Sequence, residues 1–98
     1  MSKQSPLISV VLPAYNEEAL LDKHAREVET YLRSIETKYR WEMLIINDGS
    51  SDATGEIADS LDAEFTEIRA IHHPRNFGLG QVLKFGFVNA RGDYVVVL

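Results

Sequence analysis

Apolar residues occur in short runs along this chain, and the first run predicts a buried strand. Residues 7–12 read Leu-Ile-Ser-Val-Val-Leu and are followed by Pro13. A short, β-branched run without regular polar alternation is typical of a strand that is covered on both faces. Strands of this kind belong to parallel sheets, so the run favours an α/β fold.

The next segment changes from a strand pattern to a helix pattern. Over residues 17–38 the apolar positions are three or four residues apart, and they are Leu21, Ala25, Val28, Leu32 and Ile35. This spacing predicts an amphipathic helix. We expect Asn16 to cap its start and Glu17 and Glu18 to lie in its first turn, where the helix dipole favours negative charge.

Strand and helix patterns continue to alternate along the rest of the chain. The sequence predicts strands at 43–46, 66–71 and 94–98, helices at 53–61 and 78–90, and turns at 47–52 and 91–93. A β-α-β-α-β-α-β order predicts a parallel sheet with right-handed crossovers and helices on both faces. The chain is therefore expected to form one α/β domain, or part of one.

The amino-acid composition and net charge exclude several kinds of metal site and binding partner. The 98 residues include no cysteine, and ten Lys plus Arg against fifteen Asp plus Glu give a net charge of -5. A disulfide framework and a thiolate zinc site are excluded. The acidic balance, without a basic cluster, argues against nucleic acid or an anionic membrane as a partner. The sequence predicts neither a signal peptide nor a membrane span, and we expect a cytoplasmic location.

Candidate chemistry lies where the predicted strands end, because ligands of such sheets bind beyond the carboxyl ends of the strands. After the first strand, Pro13 is followed by Tyr15 and Glu17, an aromatic ring and a carboxylate that suit a nucleoside. The alternative is structural: Tyr15 covers the sheet edge, Asn16 caps the helix and Glu17 complements its dipole. Taken alone, this segment favours the structural alternative.

After the second strand, Asp48 precedes Gly49, whose missing side chain lets a ligand approach the backbone. An ionised carboxylate only accepts hydrogen bonds, so Asp48 would suit N3–H of uracil, or N1–H and the amino group of guanine. The alternative is an ordinary Asn-Asp-Gly turn before a helix capped by Ser51 or Asp52. Taken alone, this segment favours the turn.

Together, four segments resemble the nucleotide-sugar half of family-2 glycosyltransferases. They are residues 10–18 (VVLPAYNEE), 44–52 (LIINDGSSD), 76–80 (NFGLG) and 90–98 (ARGDYVVVL), which cover nearly the whole chain. The Gly-Leu-Gly form and the last strand are most similar to the branch that transfers mannose or glucose to polyprenyl phosphate, such as dolichol phosphate. On this resemblance, residues 1–98 are a partial glycosyltransferase domain.

The resemblance implies a Rossmann-like GT-A fold, interrupted after its fourth strand. It implies that Pro13, Tyr15, Glu17, Ile46 and Asp48 surround the base and ribose of a GDP- or UDP-sugar, with Ile46 acting mainly through its backbone. It also implies a parent enzyme that transfers the sugar, with inversion, to a polyprenyl phosphate or a saccharide. The oligomeric state is left open.

The resemblance further places the metal site outside these residues. In the family an Asp-x-Asp motif, which holds Mg²⁺ or Mn²⁺, follows the fourth strand, and that position comes after Leu98. We therefore expect no metal ligand and no catalytic residue in this part of the enzyme, which would be inactive by itself. Attachment to the cytoplasmic face of a membrane would come from later segments.

Other features receive less weight. His72 and His73 are neighbours on a predicted strand and would point to opposite faces, which favours structural or solvent-facing roles over a metal pair. Residues 78–80 begin like a dinucleotide fingerprint, but Leu83 stands where the third glycine belongs. Lys84 is expected to be solvated. The competing function is a non-catalytic α/β module that binds a nucleotide or a protein partner.

Overall fold

The computed structural model describes residues 5–98, along which four strands and three helices alternate. The strands are β1 (Leu7–Ala14), β2 (Arg40–Asp48), β3 (Ile68–His73) and β4 (Tyr94–Val97), and the helices are α1 (Leu21–Ser34), α2 (Thr54–Glu64) and α3 (Leu79–Asn89). The strands form a sheet in the order β3-β2-β1-β4, and all three pairings are parallel. The predicted α/β fold with a parallel sheet is confirmed.

Different helices cover the two faces of the sheet, as predicted. α1 and α2 cover one face, where Leu21 and Leu61 belong to the larger core cluster. α3 covers the other face, where Val11, Ile46 and Val82 form a smaller cluster. The general rule that such crossovers share one hand predicts this division, because the connections from β1 to β2 to β3 run one way across the sheet and the connection from β3 to β4 runs back. The order reverses at β1, which is where such sheets open a crevice for ligands.

The central strands β1 and β2 are buried on both faces. Val10, Val11 and Leu12 are each at most 3% exposed, and every residue of β2 from Trp41 to Asp48 is buried. Burying one large aliphatic side chain contributes about 1.5–3 kcal/mol. The carboxyl ends of these two strands, which carry the candidate residues, are therefore fixed by the best-packed part of the fold.

The helices are short. α1 has 14 residues, and α2 and α3 have 11 each. Within residues 5–98, no helix is both long and apolar enough to cross a bilayer.

Several element bounds differ from the prediction. β2 begins at Arg40 instead of residue 43, and β3 continues to His73 instead of ending at residue 71. α1 is confined to Leu21–Ser34, against a predicted 17–38. β2 and β3 contain polar residues, which interrupt the apolar pattern that predicts a strand. From the sequence alone, a polar residue that is buried with a partner in the fold cannot be distinguished from a loop residue.

The predicted cap of α1 is wrong. Asn16 adopts a φ of 49°, and its side chain accepts a hydrogen bond from the backbone N–H of Ser51 instead of capping α1. Leu20 takes the capping position without a side-chain hydrogen bond, and Glu17 and Glu18 precede the helix. The side chain of a potential cap residue can bond to a backbone N–H of another segment instead of one in the helix. Here the loop after β2 supplies that N–H, from Ser51.

Candidate functional site

A cleft of about 270 Å³ opens at the carboxyl edge of the sheet. Its walls come from the end of β1 and the loop after it, the end of β2, the loop after β3, and the beginning of α3. The lining residues are Pro13, Ala14, Tyr15, Glu17, Asp48, Asn76, Gly78, Leu79 and Val82. The cleft thus lies where the strand order predicts a ligand site.

Four of the five predicted site residues line this cleft: Pro13, Tyr15, Glu17 and Asp48. The side chain of Tyr15 is 49% exposed, so part of its ring is accessible to a ligand. Ile46 is not among the lining residues, and its side chain is fully buried between the sheet and α3. Its predicted role, through the backbone, stays a prediction.

The carboxylate of Asp48 is held by three donors. Oδ1 accepts hydrogen bonds from Nδ1 of His73 at 2.9 Å and from the backbone N–H of Phe77 at 3.0 Å. Oδ2 accepts one from the backbone N–H of Gly78 at 3.0 Å. Since each oxygen has two lone pairs, these contacts use both acceptor positions of Oδ1 and leave one on Oδ2.

These contacts also keep Asp48 ionised. Burial alone would raise the pKa of its carboxyl group, but the hydrogen bonds from Phe77, His73 and Gly78 outweigh burial and hold the pKa below its usual range. At neutral pH the cleft therefore contains a fixed anionic acceptor with capacity for one more donor.

His73 lies beside Asp48 because β2 and β3 pair these two residues in register. Its ring is buried and makes T-shaped contacts with the rings of Phe77 and Phe85 at centroid distances of 5.2 and 5.0 Å. A carboxylate cannot donate, so the proton of their hydrogen bond belongs to Nδ1 of His73.

His72 points to the other face of the sheet. Its Nδ1 lies 3.0 Å from the amide nitrogen of Asn47, and its Nε2 lies 2.7 Å from a carboxylate oxygen of Asp59 in α2. The predicted opposite orientation of the two histidines is confirmed, and each bonds to structural partners of its own.

Hydrogen bonds join the loops after β1 and β2 into one unit, called the loop clasp below. Its bonds are Asn16 N–H to Ser50 Oγ (3.0 Å), Ser51 N–H to Asn16 Oδ1 (2.8 Å), Glu17 N–H to Thr54 Oγ1 (2.8 Å) and Ala53 N–H to Glu18 Oε2 (3.0 Å). The loop clasp fixes Tyr15 and Glu17 relative to Asp48.

Gly49 lets the loop after β3 close against the loop after β2. Its φ is +70°, and a β-carbon there would overlap the backbone of Arg75 and Asn76. A larger residue would meet both backbone strain and this overlap. Gly49 is thus needed to bring Asn76 and Gly78 to the cleft. The sequence led us to expect a ligand close to the backbone of Gly49, whereas the structure places the backbone of Arg75 and Asn76 there.

The cleft residues do not by themselves fit a metal ion. Glu17 and Asp48 are its carboxylates, and Asp48 already accepts three N–H groups. Across residues 5–98, no group of three His, Cys, Asp or Glu side chains is placed to hold an ion.

A larger groove, of about 570 Å³, lies along α1 beside β1 and β4. Apolar side chains such as Val28, Tyr31 and Leu98 form most of its lining, and no predicted site residue borders it. The smaller cleft is the better candidate, because it combines an accessible ring and a fixed carboxylate at the strand ends.

Reasoning from the sequence missed part of the cleft and its support. Leu79 and Val82 line it, although apolar helix positions ordinarily predict core. His73 was assigned only a structural or solvent-facing role. Its bond to Asp48 could be found only from the strand register, because 25 residues separate the two.

Comparison with known proteins indicates the family of this chain. Residues 9–98 of this chain match the family described as Glycosyl transferase family 2. Dolichyl-phosphate beta-glucosyltransferase ALG5A of Trichomonas vaginalis is 39% identical over 97 residues, which are 96% of this chain and 30% of that protein. Glycosyltransferase AglD of Haloferax volcanii is 40% identical over 89 residues, which are 91% of this chain and 14% of that protein. The chain thus spans less than a third of the length of either relative.

Solved structures support the fold. Mannosyltransferase PcManGT from Pyrobaculum calidifontis, in complex with GDP-Man and Mn²⁺, superposes with a TM-score of 0.78 at 18% sequence identity, over 95% of this chain and 27% of that one. The expected GT-A architecture is confirmed. Since the family match extends from β1 to β4, the chain belongs to glycosyl transferase family 2.

Proposed function

We propose that this chain is the donor-binding part of a longer glycosyltransferase, called the full-length enzyme below, which transfers a sugar from a nucleotide sugar to a polyprenyl phosphate with inversion. The observation that carries the proposal is the meeting of Tyr15, Glu17 and Asp48 in one cleft at the strand ends. The dolichyl-phosphate acceptor named for the relative from Trichomonas vaginalis supports the class of acceptor.

Each cleft residue has a role in holding the nucleoside. The accessible ring of Tyr15 stacks on the base, a contact that contributes about 1–3 kcal/mol in comparable sites. Asp48 accepts a hydrogen bond from a ring N–H of the base. Glu17 accepts from a ribose hydroxyl, and Pro13 makes the turn that presents Tyr15 and Glu17.

The remaining acceptor position of Asp48 favours uracil as the base. Its contacts with His73, Phe77 and Gly78 leave one lone pair on Oδ2. Uracil offers a single donor, N3–H, whereas guanine offers N1–H together with its amino group. A UDP-sugar is therefore the preferred donor, and a GDP-sugar is the alternative.

The chemistry of transfer is assigned to segments beyond the donor cleft. A divalent ion, Mg²⁺ or Mn²⁺, would offset the charge on the departing diphosphate. The residues of the cleft do not fit such an ion, so we propose that other parts of the full-length enzyme supply its ligands, as the family resemblance implies. A polyprenyl phosphate is itself an anionic nucleophile and needs no general base from this chain. Because the lipid tail of this acceptor lies in a membrane, the full-length enzyme would work at a membrane surface, which we propose to be the cytoplasmic face.

The test is binding and transfer by the full-length enzyme. UDP and GDP are titrated calorimetrically, and dolichyl phosphate with UDP-glucose or GDP-mannose and Mn²⁺ is assayed for glycolipid. We expect Asp48→Asn to weaken nucleotide binding by about 1.5–3 kcal/mol, as for a lost hydrogen bond to a charged group. Glu27→Gln, an equal change of charge on the exposed face of α1, is the control.

Two results would contradict the proposal. Unchanged nucleotide affinity in a folded Asp48→Asn variant would remove Asp48 from the base site. Nucleotide binding without glycolipid formation would support the competing hypothesis, a non-catalytic binding module.

A further inference from the structure

We propose that His73 is a positioning residue for nucleotide binding: its Nδ1–H fixes the carboxylate of Asp48 in the orientation that receives the base, while His73 itself does not touch the nucleotide. The inference rests on the proposed function, in which Asp48 is the acceptor for the base.

The geometry leaves His73 little freedom. The side chains of His73 and Asp48 are 8% and 6% exposed, and they are joined at 2.9 Å across in-register ends of β3 and β2. The rings of Phe77 and Phe85 approach the imidazole edge-on. Burial and these two aromatic contacts restrict the position of the imidazole and of its donor.

That donor decides which oxygen of Asp48 remains available. His73 and the backbone N–H of Phe77 both donate to Oδ1, so Oδ2 is the oxygen with spare capacity. Without the imidazole donor, Oδ1 regains a lone pair, and only the backbone N–H groups of Phe77 and Gly78 hold the carboxylate. The acceptor offered to the base is then less firmly fixed, and binding must order it again.

His73 is also absent from the lining of the cleft, whereas Asp48 and Gly78 border it. An effect of His73 on nucleotide affinity would therefore be transmitted through Asp48.

The test separates hydrogen bonding from packing by varying the donor at position 73 in the full-length enzyme. Asn places its amide nitrogen where Nδ1 of the imidazole lies, Leu has nearly the same shape as Asn without a donor, and Gln moves the amide one methylene farther along. We expect His73→Asn to bind UDP within about threefold of the unmodified enzyme and His73→Leu to bind it at least about tenfold more weakly, since a hydrogen bond to a charged group is lost.

Two controls keep the result interpretable. His72→Leu removes the neighbouring imidazole, which bonds to Asn47 and Asp59 on the other face, and should leave UDP affinity within about twofold. Thermal unfolding of each variant reports on packing. If His73→Leu does not fold, Asn and Gln are compared instead, and His73→Asn should bind UDP at least about fivefold more tightly than His73→Gln.

The outcomes distinguish the two proposals. Equal UDP affinities for Asn and Leu, or for Asn and Gln when Leu does not fold, would overturn the role of His73 while leaving nucleotide binding in place. Failure of the unmodified enzyme to bind either UDP or GDP would overturn the proposed function and this inference together.

Discussion

Two glycines of α3 provide a test of how closely this helix packs on the sheet. A β-carbon added at Gly86 would lie 2.8 and 3.0 Å from the two methyl groups of Val11 and 3.3 Å from Cδ1 of Ile46. Val11 and Ile46 are fully buried, so neither has open space to move into. A β-carbon at Gly80, in the first turn of the same helix, would have no neighbour within 4 Å.

Alanine is expected to change the free energy of unfolding differently at these two positions. Replacing glycine by alanine within a helix stabilises a protein by about 0.5–1 kcal/mol. At Gly80 nothing opposes this gain, so Gly80→Ala should raise the free energy of unfolding by up to about 1 kcal/mol. At Gly86 an overpacked core costs about 1–3 kcal/mol, so Gly86→Ala should range from neutral to about 2 kcal/mol destabilising.

Urea unfolding of the 98-residue chain measures both effects. The single tryptophan, Trp41, is 5% exposed in β2 and provides the fluorescence signal. With equal m-values, the two variants should differ by about 1–3 kcal/mol, which isolates the cost of overpacking. Equal stabilisation by both alanines would refute the close packing of α3 on β1.

Three further predictions concern the cleft and its supports. Tyr15→Ala should lower the nucleotide affinity of the full-length enzyme by about 1–3 kcal/mol while Tyr15→Phe retains it, because stacking needs only the ring. If Tyr15→Ala instead unfolds the protein and binding tracks the folded fraction, Tyr15 is structural. Asn16→Ala should destabilise the chain by about 1–2 kcal/mol more than Asn16→Gly, because both lose the bond to Ser51 but only glycine accepts a φ of 49° without strain; equal urea midpoints would contradict the positive φ. Burial raises the pKa of Glu42, but hydrogen bonds from Ser9, Arg91 and Arg69 outweigh burial and hold the pKa below its ordinary value of 4.5. The ionised group therefore stabilises the fold above pH 4.5, and this contribution is lost as the pH falls through the lowered pKa. Glu42→Gln should thus lower the urea midpoint at pH 7 and lose less stability than the unmodified chain between pH 7 and pH 3, and equal acid losses would refute this role.

The sequence predicted the sheet well where burial alone determines the pattern. Residues 7–12 and 43–46 are largely apolar runs, and they form the first six residues of β1 and the middle of β2. The prediction of strand bounds failed where a polar residue is buried in a strand and finds hydrogen-bond partners in other parts of the fold. Glu42 is buried in β2 because Ser9 and Arg69 satisfy its carboxylate, and neither partner is close to it in sequence.

In the candidate site, too, features that depend on local motifs were predicted, and features that depend on distant partners were not. Pro13, Tyr15, Glu17 and Asp48 were predicted from motifs at strand ends, and the parallel topology brings them to one cleft. The role of Asn16 was misjudged because capping rules describe one helix and its own flanking residues, whereas its side chain bonds to the loop after β2.

The position of β1 between β2 and β4 has a consequence for synthesis. β1 pairs with β4, so that Leu7 and Asp93, 86 residues apart, share a hydrogen bond. On the ribosome the largely apolar strand β1 is thus made before β4, and one of its edges has no partner until residues 94–97 emerge. Unpaired apolar edges promote intermolecular strand pairing. Nascent or truncated chains that stop before Tyr94 should therefore depend on chaperones and aggregate in their absence, whereas chains that include β4 close the edge themselves.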